Sequence, residues 1–312
     1  MVRFDLTAGW GYNGISAWDR QLPVGSMVDL HVIIVSFNTR ELLRDCLASV
    51  AESDLGGRSL ALTVVDNGSG DGSADIVDSF FPHYGLVRNE NRGYAQANNL
   101  GMRLRDARYH LLLNADTLLP PRALARVVDY MEEHENVGAL GPRLVQADGS
   151  LDQACRRGFP TPLNALGKYT GLARLFPRSR RLASYNLTYL DPDEESEVDS
   201  VVGAFMLLRT RALREVGGLD ETFFMYGEDL DLCYRLKSSG WRVLYWPEVT
   251  VLHYKRASSS QSPRAPREFF RAMRLFYDKY QADGARPWER ALVMAGVSAV
   301  ERIIGYDGGT RS

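Results

Sequence analysis

The chain predicts an α/β fold with a mostly parallel central sheet flanked by helices, and three observations carry that expectation. From Leu30 onward, short apolar runs alternate with helical patterns, the order that βα units leave in a sequence. Polar turn-forming clusters stand directly after three of the apolar runs, where an open α/β sheet keeps its ligand crevice. With 312 residues, 45% of them hydrophobic and 24% charged, the chain can bury one large core.

The elements follow in order. His31-Val32-Ile33-Ile34-Val35-Ser36 reads as a buried strand. Asn38 then caps a helix, with Glu41 three positions on and Leu42, Leu43, Cys46, Leu47 and Val50 as its inward stripe. A second strand, Leu60 to Val65, ends in the turn-rich Asp66-Asn67-Gly68-Ser69-Gly70-Asp71-Gly72-Ser73, and a helix follows from Ala74. Leu86-Val87-Arg88 is a short strand, Tyr94 to Arg105 a helix, and Tyr109 to Leu113 a strand ending in Asn114-Ala115-Asp116. Pro121 opens the next helix at a position proline tolerates. Residues 137–145 read as strand and turn, and Cys155 to Val198 as an irregular segment with Pro160, Pro162, Pro177 and Pro192 among arginines. Val201 to Leu208 is a buried strand, Arg211 to Val216 a short helix, Leu230 to Ser238 a helix, and Arg242 to Leu252 one or two strands. Ser258-Ser259-Ser260-Gln261-Ser262-Pro263 reads as a flexible loop, and helical patterns continue beyond Pro266.

Composition excludes several classes. A net charge of −2 offers no basic field for nucleic acid. Cys46, Cys155 and Cys233 are odd in number and widely spaced, which suggests neither a disulfide framework nor a thiolate metal site and fits a reducing cytosol. No segment reaches the ~18 apolar residues of a membrane span, and the first 26 residues lack the layout of a signal peptide. A non-periodic N-terminal extension is expected over 1–28, the main domain over 29–262 and a helical extension over 263–312.

The chemistry sits in four clusters. Ser36-Phe37-Asn38, Asp66-Asn67-Gly68-Ser69 and Asn114-Ala115-Asp116 follow strands and would converge on one crevice; taken singly, each is also what a cap or turn requires. Asp116 beside Asn114 suits Mg2+ or Mn2+, which choose oxygen ligands and keep positions for water and substrate phosphates. Asp66 suits a base or ribose, with the glycines after it letting backbone approach a ligand. In Phe223-Phe224-Met225-Tyr226-Gly227-Glu228-Asp229-Leu230-Asp231, the first two carboxylates fall in the first turn of a helix. Two readings stand there: complementing the helix dipole, for about 0.3–1 kcal/mol, or supplying a general base beside a pocket. Tyr226 and Trp241 are either a platform for a sugar or core aromatics. His31 and His110 show no partner and receive no role.

In this order, Val35-Ser36-Phe37-Asn38, Val65-Asp66-Asn67-Gly68-Ser69, Asn89-Glu90-Asn91-Arg92-Gly93-Tyr94, Leu113-Asn114-Ala115-Asp116, Gly203-Ala204 and Phe224-Met225-Tyr226-Gly227-Glu228-Asp229-Leu230-Asp231 resemble the motifs of family 2 glycosyltransferases, over about residues 29–280. Within that family the chain is most similar to bacterial rhamnosyltransferases acting on lipid-linked or growing polysaccharide acceptors. The resemblance implies a Rossmann-like GT-A fold with C-terminal helices, a nucleotide-sugar donor, a divalent metal and inversion at the transferred sugar. The implied donor is dTDP-L-rhamnose, with UDP- and GDP-sugars as alternatives. By the same resemblance, Asp66 binds the nucleobase side of the donor with Ser36 and Asn38 nearby, and Asn67 and Gly93 belong to the donor-binding loops; Arg92 departs from the family, where a Leu is common, and either contacts phosphate or is solvated. Asn114-Ala115-Asp116 stands where the family has its metal motif. Asp116 is the expected ligand, and Asn114 replaces the first acidic residue. His253 is implied at the metal or donor diphosphate. Asp229 matches the general base; beside it, Glu228 is read as orienting the loop or the acceptor, and Asp231, on helix chemistry alone, as capping the helix.

Arg174, Arg178, Arg180 and Arg181 mix with Leu172, Leu175, Phe176 and Leu182, a pattern shared by anionic membrane surfaces, pyrophosphate-linked acceptors and plain solvated loops. Ala291 to Val300, with Ile303 and Ile304, forms an apolar helix for packing, homodimerisation or an interface. The expectation is an inverting transferase in the cytoplasm or at the inner face of the membrane, acting on a glycan or polyprenyl-linked acceptor. Its rival is a non-catalytic sugar-nucleotide-binding scaffold, which has no need of a base.

Overall fold

The computed structural model describes residues 27–255 and 264–307, with side chains as far as Arg302. The extension up to Ser26 and the expected flexible loop Ser258–Pro263 lie outside the described residues.

The strands are β1 (Val28–Ser36), β2 (Leu60–Asp66), β3 (Gly85–Arg88), β4 (Ala107–Asn114), β5 (Thr117–Leu118), β6 (Val137–Val145), β7 (Ser196–Glu197), β8 (Phe205–Arg209) and β9 (Arg242–His253). They form a nine-stranded sheet in the order β3-β2-β1-β4-β8-β6-β9-β5, with β7 also on β9. Strands β3, β2, β1 and β4 run parallel. Strand β8 is antiparallel to both β4 and β6, and β9 is parallel to β6. The six longer-range neighbours β1–β4, β6 and β9 therefore share one direction, while β8 and the two-residue β5 and β7 oppose it.

The helices are α1 (Arg40–Ala51), α2 (Ser73–Phe80), α3 (Tyr94–Arg103), α4 (Ala123–Glu133), α5 (Pro162–Tyr169), α6 (Leu172–Leu175), α7 (Thr210–Val216), α8 (Glu228–Ser238), α9 (Ala265–Tyr280) and α10 (Pro287–Asp307). Helix α1 shows why they pack. Leu43, Cys46, Leu47 and Val50 recur at helical spacing and are fully buried against the sheet, each large side chain contributing roughly 1.5–3 kcal/mol. Between β1 and β4, His31 and His110 meet edge-on at 5.4 Å, and His31 Nε2 lies 2.9 Å from Thr63 Oγ1. Burial drives the pKa of His31 down to about 3 and of His110 to about 4, so both are neutral core side chains.

Three local expectations need correction. Helix α1 is preceded by Thr39, not capped by Asn38; Asn38 takes a left-handed φ of 51°, and its Oδ1 instead accepts the Gly70 N–H at 2.8 Å. Asn tolerates that backbone because its short polar side chain bonds locally. Strand β8 begins at Phe205, because Gly203 and Ala204 form a turn before it. The segment 155–198 is not wholly irregular: Thr161 and Asn164 make a reciprocal capping box with Pro162 in the first turn of α5. Of the one or two strands expected over Arg242–Leu252, the structure has one, β9, which carries a register shift opposite Pro142 and Arg143.

Candidate active site

Strand register brings the polar clusters to one edge. Ser36 pairs with Asp66, and Val35 with Asn114, so β1, β2 and β4 end together. Ser36 is buried, with its Oγ 3.1 Å from Thr39 Oγ1. Asn38 closes the adjoining loops, its N–H donating to Ser69 Oγ at 2.9 Å. Asp66 is only 3% exposed; its Oδ1 accepts the Ser69 N–H at 2.9 Å, while its Oδ2 is buried with no partner among the described residues. A buried carboxylate oxygen left unpaired costs free energy, and a donor-bearing ligand would relieve it. Asn67 is spent on structure: its amide donates to the Gly93 carbonyl and its Oδ1 accepts from Asn89.

Gly93 is required by the backbone. Its φ is 107°, and a Cβ there would stand 2.4 Å from the Phe224 carbonyl oxygen, which also accepts the Tyr94 N–H at 2.7 Å. This close approach docks the 89–93 loop against the segment leading into α8. Arg92 points away, exposed and paired with Glu90 at 2.9 Å.

The 114–116 loop meets the end of β9. Thr117 pairs with His253, and His253 Nε2 lies 3.3 Å from Asp116 Oδ1, both side chains buried. The other imidazole nitrogen, Nδ1, is 3.0 Å from Asp152 Oδ2. Burial opposes the charge on His253, but the two carboxylates prevail and raise its pKa to about 9. Adjacent ligands of a small divalent cation at bond lengths of about 2.0–2.1 Å stand about 3 Å apart, so the Asp116–His253 pair suits such an ion, which would take the place of the proton between them. Ala115 is buried and supplies no side-chain donor. The Asn114 Oδ1 accepts from the Tyr94 hydroxyl at 3.1 Å, and that hydroxyl also lies 2.9 Å from the Gly203 carbonyl.

Tyr226 and Gly227 both adopt positive φ, 67° and 83°, a double left-handed step that turns the chain sharply into α8. Asp229 follows in the first turn, 5% exposed. Its Oδ2 accepts from Arg157 at 2.6 Å and from the Gly203 N–H at 3.3 Å, and its Oδ1 accepts the Leu230 N–H at 2.8 Å. Burial works against the Arg157 charge, but Asp229 outweighs it and raises the guanidinium pKa above the ordinary value. Asn114, Tyr94, Gly203 and Asp229 thus form one connected path from the β4 loop to α8.

Glu228 is buried beside Asp229, and its Oε2 has no partner among the described residues. Burial first, and the Asp229 carboxylate second, push its pKa up to about 8. Asp231 is fully buried and engaged by Arg235, Lys279 and Tyr280; its work is to tie α8 to α9. Tyr226 meets Phe269 of α9 edge-on at 5.8 Å.

Trp241 is not brought to this edge. It precedes β9 at the end opposite His253, about twelve residues at ~3.3 Å each from the crevice, and its Nε1 donates to Glu215 at 2.7 Å. Two residues of the site carried no signal in sequence, and a third entered only as the end of a motif. Arg157 follows the likewise buried Arg156 in a segment without periodicity, Asp152 lies beside a turn, and Tyr94 closes the 89–94 motif with no role of its own. Among the described residues, no group of three His, Cys, Asp or Glu forms a ready metal cage, so a cation at Asp116 and His253 would need water or phosphate in its remaining positions.

The family model described as glycosyltransferase like family 2 matches residues 29–271. An N-acetylglucosaminyl-diphospho-decaprenol L-rhamnosyltransferase of Mycobacterium tuberculosis is 31% identical over 75% of this chain and 78% of its own length. Rhamnosyltransferase WbbL of Escherichia coli is 29% identical over 72% of this chain and 83% of its own. Among solved structures, residues 1–349 of Staphylococcus aureus TarS in complex with UDP-GlcNAc superimpose with a TM-score of 0.57 at 15% identity, over 91% of this chain and 76% of that one. The mannosyltransferase PcManGT of Pyrobaculum calidifontis, in complex with GDP-Man and Mn2+, gives 0.54 at 18% identity, over 95% and 79%. These neighbours share the GT-A fold.

Proposed function

The chain belongs to the glycosyltransferase-like family 2, and from that premise we propose that it is an inverting, metal-dependent rhamnosyltransferase. It transfers L-rhamnose from dTDP-L-rhamnose to a hydroxyl of a lipid-diphosphate-linked or growing cell-surface glycan. The observation that carries the assignment is the path from Asn114 through Tyr94 and Gly203 to Asp229, because it couples a donor-side loop to a carboxylate across one crevice. Two relatives named as rhamnosyltransferases support the choice of sugar. A UDP- or GDP-sugar is the alternative donor.

In this account the unpartnered Asp66 Oδ2 accepts the imide N–H of the pyrimidine, and the loops tied together by Asn38 close over the nucleoside. Asp116 and His253 would hold Mn2+ or Mg2+, and the cation would supply charge neutralisation for a departing diphosphate. Asp229 receives the acceptor proton as the acceptor oxygen bonds to the anomeric carbon and the bond to the diphosphate breaks. A positioned base contributes roughly 10²–10⁴-fold. Arg157 fixes Asp229 in place, and Tyr226 stands where an acceptor sugar would stack.

A second reading of the base is favoured by one observation: Glu228 has a free buried oxygen and a pKa near the working range, whereas Asp229 is already bonded three times. Asp229→Asn and Glu228→Gln separate the two. Loss of turnover with donor affinity kept marks the base. If Asp229→Asn turns over normally while Glu228→Gln does not, the proton goes to Glu228.

We also assign the acceptor a membrane origin. Leu163, Leu166, Leu175 and Phe176 are exposed on α5 and α6 beside the exposed Arg174, Arg178 and Arg181, a mix suited to an anionic bilayer surface. No described helix is long and apolar enough to cross a membrane. Cosedimentation with anionic against zwitterionic vesicles tests this contact, and equal binding to both would contradict it.

A further inference from the structure

We propose that Asp152 is a positioning residue for the metal-binding imidazole: it holds His253 as the Nδ1–H tautomer with the Nε2 lone pair directed at the cation. The proposal rests on the assignment of Asp116 and His253 as metal ligands. It names a residue that no strand-end motif contains.

The fold builds this contact deliberately. Strands β6 and β9 run parallel and, beyond the register shift at Pro142 and Arg143, pair as far as Val145 opposite Leu252, so the chain leaves β6 beside the end of β9. A tight turn then folds back: Gln146 N–H donates to the Ser150 carbonyl, Val145 bridges Leu151, and Asp152 N–H returns to the Leu144 carbonyl at 2.9 Å. The result sets a fully buried carboxylate against the imidazole, with Oδ2 3.0 Å from Nδ1. Its other oxygen is held by Lys255 Nζ at 2.5 Å and by the Ala154 N–H at 3.0 Å, so the carboxylate cannot swing away. An ionised carboxylate only accepts hydrogen bonds, which requires the Nδ1 proton to point at Asp152 and leaves Nε2 for the metal. A carboxylate behind an imidazole fixes its orientation and makes it a stronger donor. That matters more here than at a site with two motif carboxylates, because Asn114 brings no charge and its Oδ1 is already bonded to Tyr94.

The test uses the full chain with Mn2+ alone and with Mn2+ plus dTDP, read by electron paramagnetic resonance titration with no turnover required. Asp152→Asn should weaken Mn2+ binding about 10–100-fold while thermal unfolding stays close to the parent. His253→Ala should weaken it at least as much. If Asp152→Asn binds Mn2+ as tightly as the parent while His253→Ala does not, the role of Asp152 is overturned and the metal assignment stands. If His253→Ala also binds like the parent, or the parent binds no Mn2+, the metal assignment itself fails and this proposal with it. A measurement on the unmutated protein guards against a variant that does not fold. With 15N-histidine labelling, Mg2+ and dTDP, His253 should show a protonated Nδ1, and an unprotonated Nδ1 would overturn the proposal.

Discussion

At the scale of single residues, two buried carboxyl groups each have a second oxygen without a partner among the described residues. Asp66 is one: Asp66→Ala removes the acceptor for the nucleobase, and calorimetry should show donor affinity falling roughly 10- to 100-fold, the worth of about 1.5–3 kcal/mol for a hydrogen bond to a charged group. Unchanged affinity would mean the base sits elsewhere. Glu228 is the other, and its effect reads out as stability against pH. Burial beside Asp229 raises its pKa in the fold from the ordinary 4.5 to about 8, so the folded protein binds a proton that the unfolded chain has lost between those values. That contribution to stability is complete below about 4.5, declines as pH rises through the window, and is gone above about 8. Glu228→Gln, neutral throughout, should therefore gain stability over the parent as pH increases from 5 to 8. A constant difference across that range would show that Glu228 does not titrate as described. The carboxylates Asp66, Asp116 and Asp229 were legible in sequence because they follow strands or open a helix in a family order. Their burial was not, since burial is set by neighbours distant in sequence: Arg157 reaches Asp229 across 72 positions and Asp152 reaches His253 across 101.

At the scale of elements, the strands and long helices follow directly from apolar periodicity, and the errors fall where local chemistry competes. Asn38 has the composition of a cap, but Gly70 offers its side chain a better-placed donor. Helix α5 was hidden by Pro160 and Pro162, although Pro162 occupies a tolerated first-turn position behind the Thr161 cap. Thr161→Ala should cost about 1 kcal/mol in urea unfolding; no loss would mean the capping box does not hold α5 in place. The Gly93 contact makes a stronger prediction. An alanine there meets both the positive φ and the Phe224 carbonyl, so Gly93→Ala should lose roughly 1–3 kcal/mol or more and loosen the loop that abuts α8. A fully stable variant would show that the two segments do not touch so closely. Trp241 illustrates the opposite limit: its aromatic character suggested a sugar platform, but position along β9, which periodicity cannot reveal, puts it at the far end of the sheet.

At the scale of the whole molecule, one sheet edge collects the ends of β1, β2, β4 and β9, and α8 closes over it, latched from behind by α9. The latch is Asp231, fully buried and shared by Arg235, Lys279 and Tyr280. Asp231→Ala should reduce stability by roughly 2–4 kcal/mol and raise hydrogen exchange in α9 more than in β1. Uniform exchange across both would show that α9 is not held through this residue. The GT-A arrangement was legible in the order of motifs, whereas the reversed β8 and the turn-back that delivers Asp152 depend on tertiary pairing. The central claim is that this edge performs glycosyl transfer with Asp229 as proton acceptor. It is tested most directly by measuring, on Asp229→Asn with Mn2+ present, both the binding of dTDP-L-rhamnose and its turnover onto a lipid-diphosphate-linked glycan. The account predicts binding within a few-fold of the parent and turnover reduced by roughly 10²–10⁴-fold; turnover at the parent rate would contradict it.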